Sequence, residues 1–423
     1  MTFIFKNYGY DKSAKTAWFE YAHSNGHEYR EEIQFNDADD TYNQVVFDQA
    51  LFLSFLLVGT SYYKCFPSRE VVFEVGGIDE WQANFLNHVY QEGMSQFAFE
   101  NHLNRQDMAH FVANDNREHA AIPTYTGNGV LSLQSGGKDS LLVAKLLEKN
   151  GVGYDAWYIS NGPAYPELLN NLSADLRLAH RQIDIEAIKR TVEAGGKNGH
   201  VPVTYIVLSY ALLQAVLLNK RTILAAIAHE GDEPHAWIDD LPVNHQWSKT
   251  WQAEQLFAEY VSRYIATQIK VGSPLRHISE LKLTELFSRY AWPQFGTSFS
   301  SCNLGNYKQH TDNSQLTWCG ECPKCANAYL LFAPFIDKSE LDRRLGGDLL
   351  AKPVLTTTFK GLLGIEGVMK PFECVGEVDE LRLAYALALR RGYSVLPFDV
   401  PSSSFDYEAT YPSQESLTAM ISW

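Results

Sequence analysis

Positive charge is scarce in this chain. Its 423 residues hold 35 Lys and Arg against 50 Asp and Glu, a net charge of -15 and a sequence pI near 5.3. General nucleic-acid binders are basic, so no nucleic-acid partner is expected, although a local basic groove is compatible with the total. Long apolar runs are missing too. The strongest, residues 50–59, falls short of the roughly 20 residues that cross a bilayer and reads as a buried helix. The first residues, Met1-Thr-Phe-Ile-Phe-Lys, show no basic stretch followed by a long apolar one, so no secretory signal and no membrane partner are expected. The chain reads as cytoplasmic. It has no internal repeat and no low-complexity tract. Cysteine is limited to six residues, yet four of them, Cys302, Cys319, Cys322 and Cys325, crowd into one segment. In a reducing compartment such clustering points to a metal rather than to disulfides.

What is present is ordinary globular composition, 45% hydrophobic and 20% charged, and enough length for two or three domains. Residues 1–125 read as an α+β unit. Strands are expected over 3–9, 17–22, 29–35 and 70–75, a helix over 43–58 and a long helix over 80–100, followed by a polar linker at 113–126. From residue 129 the pattern becomes strand, helix, strand: 130–133, 140–148, 154–159, then 203–219 and 222–228. That alternation predicts an α/β fold with a parallel sheet and helices on both faces. This unit is expected over 126–345, with a small C-terminal extension over 346–423 packing near the active site.

The junction after the first of these strands is Ser135-Gly136-Gly137-Lys138-Asp139-Ser140. Free N–H groups at a helix start attract anions, and the helix dipole adds to the attraction. Glycines let the backbone turn and approach a ligand closely. Ser135 and Ser140 can donate to phosphate oxygens. The loop is neither Gly-x-x-x-x-Gly-Lys-Ser/Thr nor Gly-x-Gly-x-x-Gly. It resembles the PP-loop of the ATP pyrophosphatases, a superfamily that includes GMP synthetase, NAD synthetase and 7-cyano-7-deazaguanine synthase. That resemblance implies ATP and Mg²⁺, the pyrophosphate held by Ser135, Gly136, Gly137, Asp139 and Ser140. Lys138 stands at the variable position. A substrate oxygen would attack the α-phosphate to give an adenylate. The resemblance also places adenine and ribose near Ser160, which otherwise reads as a strand-ending turn residue.

Four thiolates from Cys302, Cys319, Cys322 and Cys325 can close a tetrahedral zinc shell, as structural sites do. Cys-x-x-Cys-x-x-Cys also occurs in ferredoxins, so an iron–sulfur cluster is the competing reading. The deazaguanine synthase has a comparable four-cysteine site.

Three further segments carry reactive side chains: Gly59-Thr-Ser-Tyr62-Tyr63-Lys64, Val243-Asn244-His245-Gln-Trp247-Ser-Lys249 and Lys370-Pro-Phe-Glu373-Cys374-Val-Gly-Glu377. A lone histidine is more often structural than catalytic, and a lone cysteine is more often a small buried residue. Taken with the loop and the Cys-Pro-Lys-Cys run, however, the set resembles the MurL family of ATP-dependent epimerases of cell-wall synthesis. The likeness extends from the first unit to the last. It implies that the terminal L-glutamate of UDP-N-acetylmuramoyl-L-alanyl-L-glutamate is inverted while ATP becomes AMP and pyrophosphate. His245 and Cys374 are the candidates for moving the α-proton, with Asp239 and Lys249 beside them. Tyr62, Tyr63, Lys64, Asn244, Trp247, Lys370 and Glu373 are the candidates for binding the substrate. The segment 228–237, His-Glu-Gly-Asp-Glu-Pro-His among its residues, is more charged than the family's corresponding stretch. The competing functions are an amide- or nitrile-forming PP-loop ligase, a tRNA-thiolating enzyme and a nucleotide sensor.

Overall fold

The structure is a computed structural model and describes residues 1–115, 122–238, 241–308 and 314–423. The chain opens with β1 (Thr2–Asp11), β2 (Thr16–His23) and β3 (Glu28–Phe35), an antiparallel meander in which inward and outward residues alternate. β4 (Glu70–Phe73) lies parallel to β1 at one edge. Then come β5 (Val130–Leu133), β6 (Asp155–Ser160), β7 (Asp175–Gln182) and β8 (Thr222–Leu224). A small hairpin of β9 (Ala236–Ile238) and β10 (Leu241–Val243) precedes β11 (Lys270–Gly272). Apart from that hairpin the strands form one nine-stranded sheet in the order β11-β8-β5-β6-β7-β3-β2-β1-β4. It is parallel from β11 to β7 and antiparallel from β7 through β3 and β2 to β1. The stretch read as a linker, 113–126, lies partly outside the described residues. The strands before and after it share the one sheet.

Because side chains alternate across a strand, the sheet divides its apolar residues between two cores. Leu131, Trp157 and Ile223 enter one, with helices Gln44–Val58, Val203–Leu217 and Trp251–Tyr264. Val130, Ala156, Tyr158 and Leu224 enter the other, with helices Lys138–Lys149, Glu280–Tyr290, Pro323–Phe332 and Val378–Arg390. The apolar helix starts where expected, Asn43 accepting from Val46 N at 3.1 Å as its cap. It runs on through Tyr63, so the stretch Gln44–Tyr63 is long and apolar enough to cross a membrane, but 78% of that window is buried inside the fold. The helix expected over 80–100 is broken. Helix Glu80–Asn87 passes into a wide turn at His88–Glu92 and resumes at Ser95–Glu100. Trp247 accounts for the break: its indole donates to Glu92 Oε2 at 3.1 Å and packs on Gly93, where a Cβ would meet it at 2.8 Å.

The seam between the meander and the parallel strands is the β3–β7 pair, Ile33 facing Arg181. Glu31, fully buried, sits diagonally across from it. Its carboxylate accepts from Arg181 Nε at 2.6 Å, Tyr62 Oη at 2.8 Å and Tyr210 Oη at 2.5 Å. Replacing Glu31 with alanine strands a buried guanidinium and is expected to cost about 3–5 kcal/mol, measured as a lower urea midpoint. A loss below about 1 kcal/mol, the worth of a surface pair, would contradict this account.

Candidate active site

The C-terminal ends of β5, β6 and β8 open on a cavity of about 440 Å³. The turn Ser135–Ser140 forms its floor. Gly136 adopts φ +77°, which turns the chain sharply before helix Lys138–Lys149 begins at the Gly137 cap. The two serines hold the turn shut: Ser135 N donates to Ser140 Oγ at 3.2 Å, and Gly137 N lies 3.3 Å from Ser135 Oγ. Leu133, Trp157 and Val207 supply an apolar wall, while Ser301, Asn303, Lys249 and Lys324 supply polar groups. Among the described residues the Lys324 ammonium has no ion-pair or hydrogen-bond partner.

Lys138 does not face this cavity. Its Nζ turns back to Asp139 Oδ1 at 2.6 Å and Glu280 Oε1 at 2.7 Å. Burial opposes its charge, but Asp139, Glu280 and Glu230 overcome the penalty and raise its pKa well above the usual lysine value. Ser160 also turns aside, donating to Gly162 O and lying 3.2 Å from His180 Nδ1.

A second, smaller cavity of about 60 Å³ adjoins the first, and the two share Asp139, Lys249, Ser301 and Lys324. Lys138, Glu230, Glu280, Asn327 and Cys374 are among the other residues of its walls. Lys249 Nζ lies 3.2 Å from Cys374 Sγ. Burial pushes the thiol up, yet Lys249, Lys324 and a hydrogen bond with His245 more than reverse this, so its pKa lies well below the ordinary value. His245 stands behind the thiol, its Nδ1 held 2.6 Å from Gln96 Oε1. His245 and Lys249 therefore meet Cys374, which lies more than a hundred residues further along the chain. Asp239 lies outside the described residues.

The segment bearing Cys374 is tied down on several sides. His235 Nε2 is 2.9 Å from Glu373 O, Gln246 Nε2 donates to Val375 O at 3.2 Å, and Lys370 pairs with Glu233. Asn303 Nδ2 donates to Glu373 Oε2 at 2.9 Å, and Gly376 N donates to Asn327 Oδ1 at 3.0 Å. Both asparagines flank the cysteine cluster. The sulfurs of Cys302, Cys319, Cys322 and Cys325 all lie within 4.8 Å of one another, a set that could hold a metal ion.

Other expected substrate contacts lie elsewhere. Tyr62 and Tyr63 are fully buried core residues, and the Tyr63 hydroxyl donates to Ser68 O at 3.1 Å. Lys64 donates to Gly199 O at 3.2 Å. Trp247 packs in the wide turn described above. Asn244 donates from Nδ2 to Gly231 O at 2.8 Å, fixing the turn that carries Glu230. Glu230, Glu280 and Lys324 escaped the sequence reading. Lys324 was legible within Cys-Pro-Lys-Cys, whereas the two glutamates have no local signature. A wider cleft of about 940 Å³ beyond Leu316 is lined by Tyr165, Asn170, Ser298 and Arg344 among others.

Residues 1–273 match the family described as the MurL N-terminal domain, and residues 298–394 the MurL C-terminal domain. The chain is 30% identical over 397 residues to the UDP-N-acetyl-alpha-D-muramoyl-L-alanyl-L-glutamate epimerase of Xanthomonas oryzae pv. oryzae, covering 92% of this chain and 86% of that protein. Proteins of the same name from Salinispora tropica and a Micromonospora strain are each 29% identical, over 91% of this chain and 84% and 86% of theirs.

The turn itself can be tested. A Cβ on Gly136 would meet Leu316 Cδ1 at 2.5 Å, and the left-handed backbone adds strain. Gly136→Ala is expected to destabilise the protein by about 1–2 kcal/mol through the backbone alone. Gly137→Ala, at an extended φ of -85°, should cost less. Equilibrium denaturation of the two variants checks the order.

Proposed function

The chain belongs to the MurL family, and on that premise we propose that it inverts the terminal L-glutamate of UDP-N-acetylmuramoyl-L-alanyl-L-glutamate to D-glutamate. It is an isomerase, consuming ATP and Mg²⁺ through a PP-loop and acting in the cytoplasm. The observation that carries this reading is the junction of the two cavities. One has the glycine turn and helix start of an anion site; the other has a thiol whose pKa Lys249, Lys324 and His245 draw well below the ordinary value; Lys249 and Lys324 border both.

The chemistry explains why a nucleotide is needed. Removing a proton next to a free carboxylate would put a second negative charge beside the first. In the proposed sequence, the glutamate carboxylate attacks the α-phosphorus and the bond to the β-phosphate oxygen breaks. Pyrophosphate leaves, and a mixed anhydride remains. Its carbonyl acidifies the α-carbon. The turn amides and Ser135 and Ser140 would hold the departing phosphates, Lys249 and Lys324 would neutralise them, and Asp139, whose Oδ1 pairs with Lys138, would offer a carboxylate to Mg²⁺. Cys374 takes the α-proton, and His245 and Lys249 keep it ionised beforehand. Reprotonation from the other face inverts the centre, and water then cleaves the adenylate to AMP. The wide cleft beside Arg344 offers room for the nucleotide-sugar end of the substrate.

The cysteine cage favours zinc. Zn–S bonds of about 2.3 Å put tetrahedral thiolates roughly 3.8 Å apart, and the Cys302–Cys322, Cys319–Cys325 and Cys322–Cys325 sulfurs are 3.6, 3.6 and 3.5 Å apart. An iron–sulfur cluster interposes several atoms and needs a wider cage. With four thiolates as ligands the ion would have no open position, and its service would be to hold Lys324, Asn303 and Asn327 in place.

Incubation with ATP, Mg²⁺ and the dipeptide substrate in D₂O is expected to yield AMP, pyrophosphate and α-deuterated D-glutamate. Cys374→Ala should retain ATP–pyrophosphate exchange while epimerisation falls about 10²–10⁴-fold. AMP with unchanged L-glutamate would instead point to the ligase reading. Metal analysis of the purified protein should find zinc and little iron, and Cys319→Ser should lower both the zinc content and the melting temperature.

A further inference from the structure

Two-sided proton transfer takes two groups or one mobile one, and the segment that carries Cys374 is tied down on several sides. Glu230 lies on the short turn His229–Asp232 and is 6% exposed. Its Oε2 has no hydrogen-bond partner. A buried carboxylate oxygen left without a partner is costly, and Glu230 lines the small cavity that Cys374 also lines.

The turn is built to hold it there. Gly231 lets the backbone come against Lys249, where a Cβ would lie 2.6 Å from Lys249 O. Asn244 Nδ2 clamps Gly231 O, and Asp232 Oδ1 accepts from Trp251 N at 2.8 Å. Glu230 and Lys249 are thus locked side by side, and Lys249 in turn touches Cys374.

We propose that Glu230 is a second catalytic residue of this site, the acid that protonates the α-carbon on the face opposite Cys374. The inference rests on the epimerase reading and adds a residue to it. In the L-to-D direction the Cys374 thiolate takes the α-proton and becomes a thiol. The C–H electron pair moves into the enolate of the adenylate. Glu230 then gives its O–H proton to the carbon and keeps the bonding pair as a carboxylate. Protons balance: one enters Cys374, one leaves Glu230, and the two groups re-equilibrate with solvent after product release.

The surroundings suit an acid that carries its proton near neutrality. Burial, then Glu280 and Asp139, push the Glu230 carboxyl up to about 7 against the pull of Lys249 and Lys138. Lys138, Asp139, Lys249, Glu280, Lys324 and Cys374 line the same cavity. A group that must be protonated to act loses activity as pH rises through its pKa. The L-to-D rate should therefore fall above about pH 7.

The experiment uses the full-length protein with ATP, Mg²⁺ and the dipeptide substrate. In Glu230→Gln, substrate-dependent ATP–pyrophosphate exchange should stay within a few-fold of the parent while D-glutamate formation drops about 10²–10⁴-fold. Glu230→Asp should recover part of the rate and the high-pH fall. Wild-type epimerisation by Glu230→Gln overturns the proposal. So does a loss of pyrophosphate exchange in step with epimerisation, which would assign Glu230 to the phosphates or to folding. If Glu230→Gln does not fold, the parent pH profile decides: a rate flat through pH 7 overturns it. Failure of the parent itself to form AMP and D-glutamate would sink the epimerase reading instead, so the two are told apart.

Discussion

The buried ion pair between Glu31 and Arg181 is the constraint on which the architecture turns. It sits where an antiparallel meander joins a parallel sheet, two arrangements with different hydrogen-bond patterns. Arg181 Nη2 also donates to Ser61 Oγ at 3.0 Å, and Tyr62 and Tyr210 satisfy the glutamate. A one-residue slip of β3 would turn Glu31 outward and leave Arg181 unpaired in a dry core. Register at the seam is therefore enforced by charge, and hydrophobic packing on either side follows from it.

The same currency governs the site. Asp139, Glu230, Glu280 and Cys374 place several acidic groups in a small volume, with Lys138, Lys249 and Lys324 among them. Lys138 is spent on Asp139 and Glu280. Lys249 serves Cys374 and Glu230 together, and burial fails to remove its charge because both acidic neighbours raise its pKa. Lys324 is left for a ligand. An acidic protein thus leaves one lysine of this cavity, Lys324, uncommitted by pairing the others with its own acidic groups.

The cysteine cluster belongs to this arrangement. Lys324 lies between Cys322 and Cys325, Asn303 follows Cys302, and Asn327 follows Cys325 by two residues. These three reach the cavity or the Cys374 segment. The backbone next to Cys302 and Cys325 is therefore tied to the segment that carries the thiol.

Several features were legible in the residues alone. Alternation marked β1, β2 and β3 because a strand with two different faces shows its period directly, and short continuous apolar runs marked β5 and β6, which are buried on both faces. Asn43 marked a helix start, and Cys-x-x-Cys-x-x-Cys marked a metal-sized cluster because its ligands are local. The glycine turn was readable for the same reason: what it needs, a left-handed residue at 136 before a helix, is contained in six positions. β7 was missed, since its charged residues Arg177, His180 and Arg181 hide an apolar period, and Arg181 is inward only because Glu31 awaits it. The helix over 80–100 was read as continuous because the residue that breaks it, Trp247, comes from far along the chain. Tyr62 and Tyr63 looked like ligand contacts, yet their hydroxyls are bonded within the core. The chemistry of local motifs was thus determined by sequence, where neighbouring residues suffice. Which side chains share a cavity, Glu230 with Cys374 above all, was decided only by tertiary structure, because their proximity depends on a sheet edge, a clamped turn and a docked C-terminal segment that no short window contains.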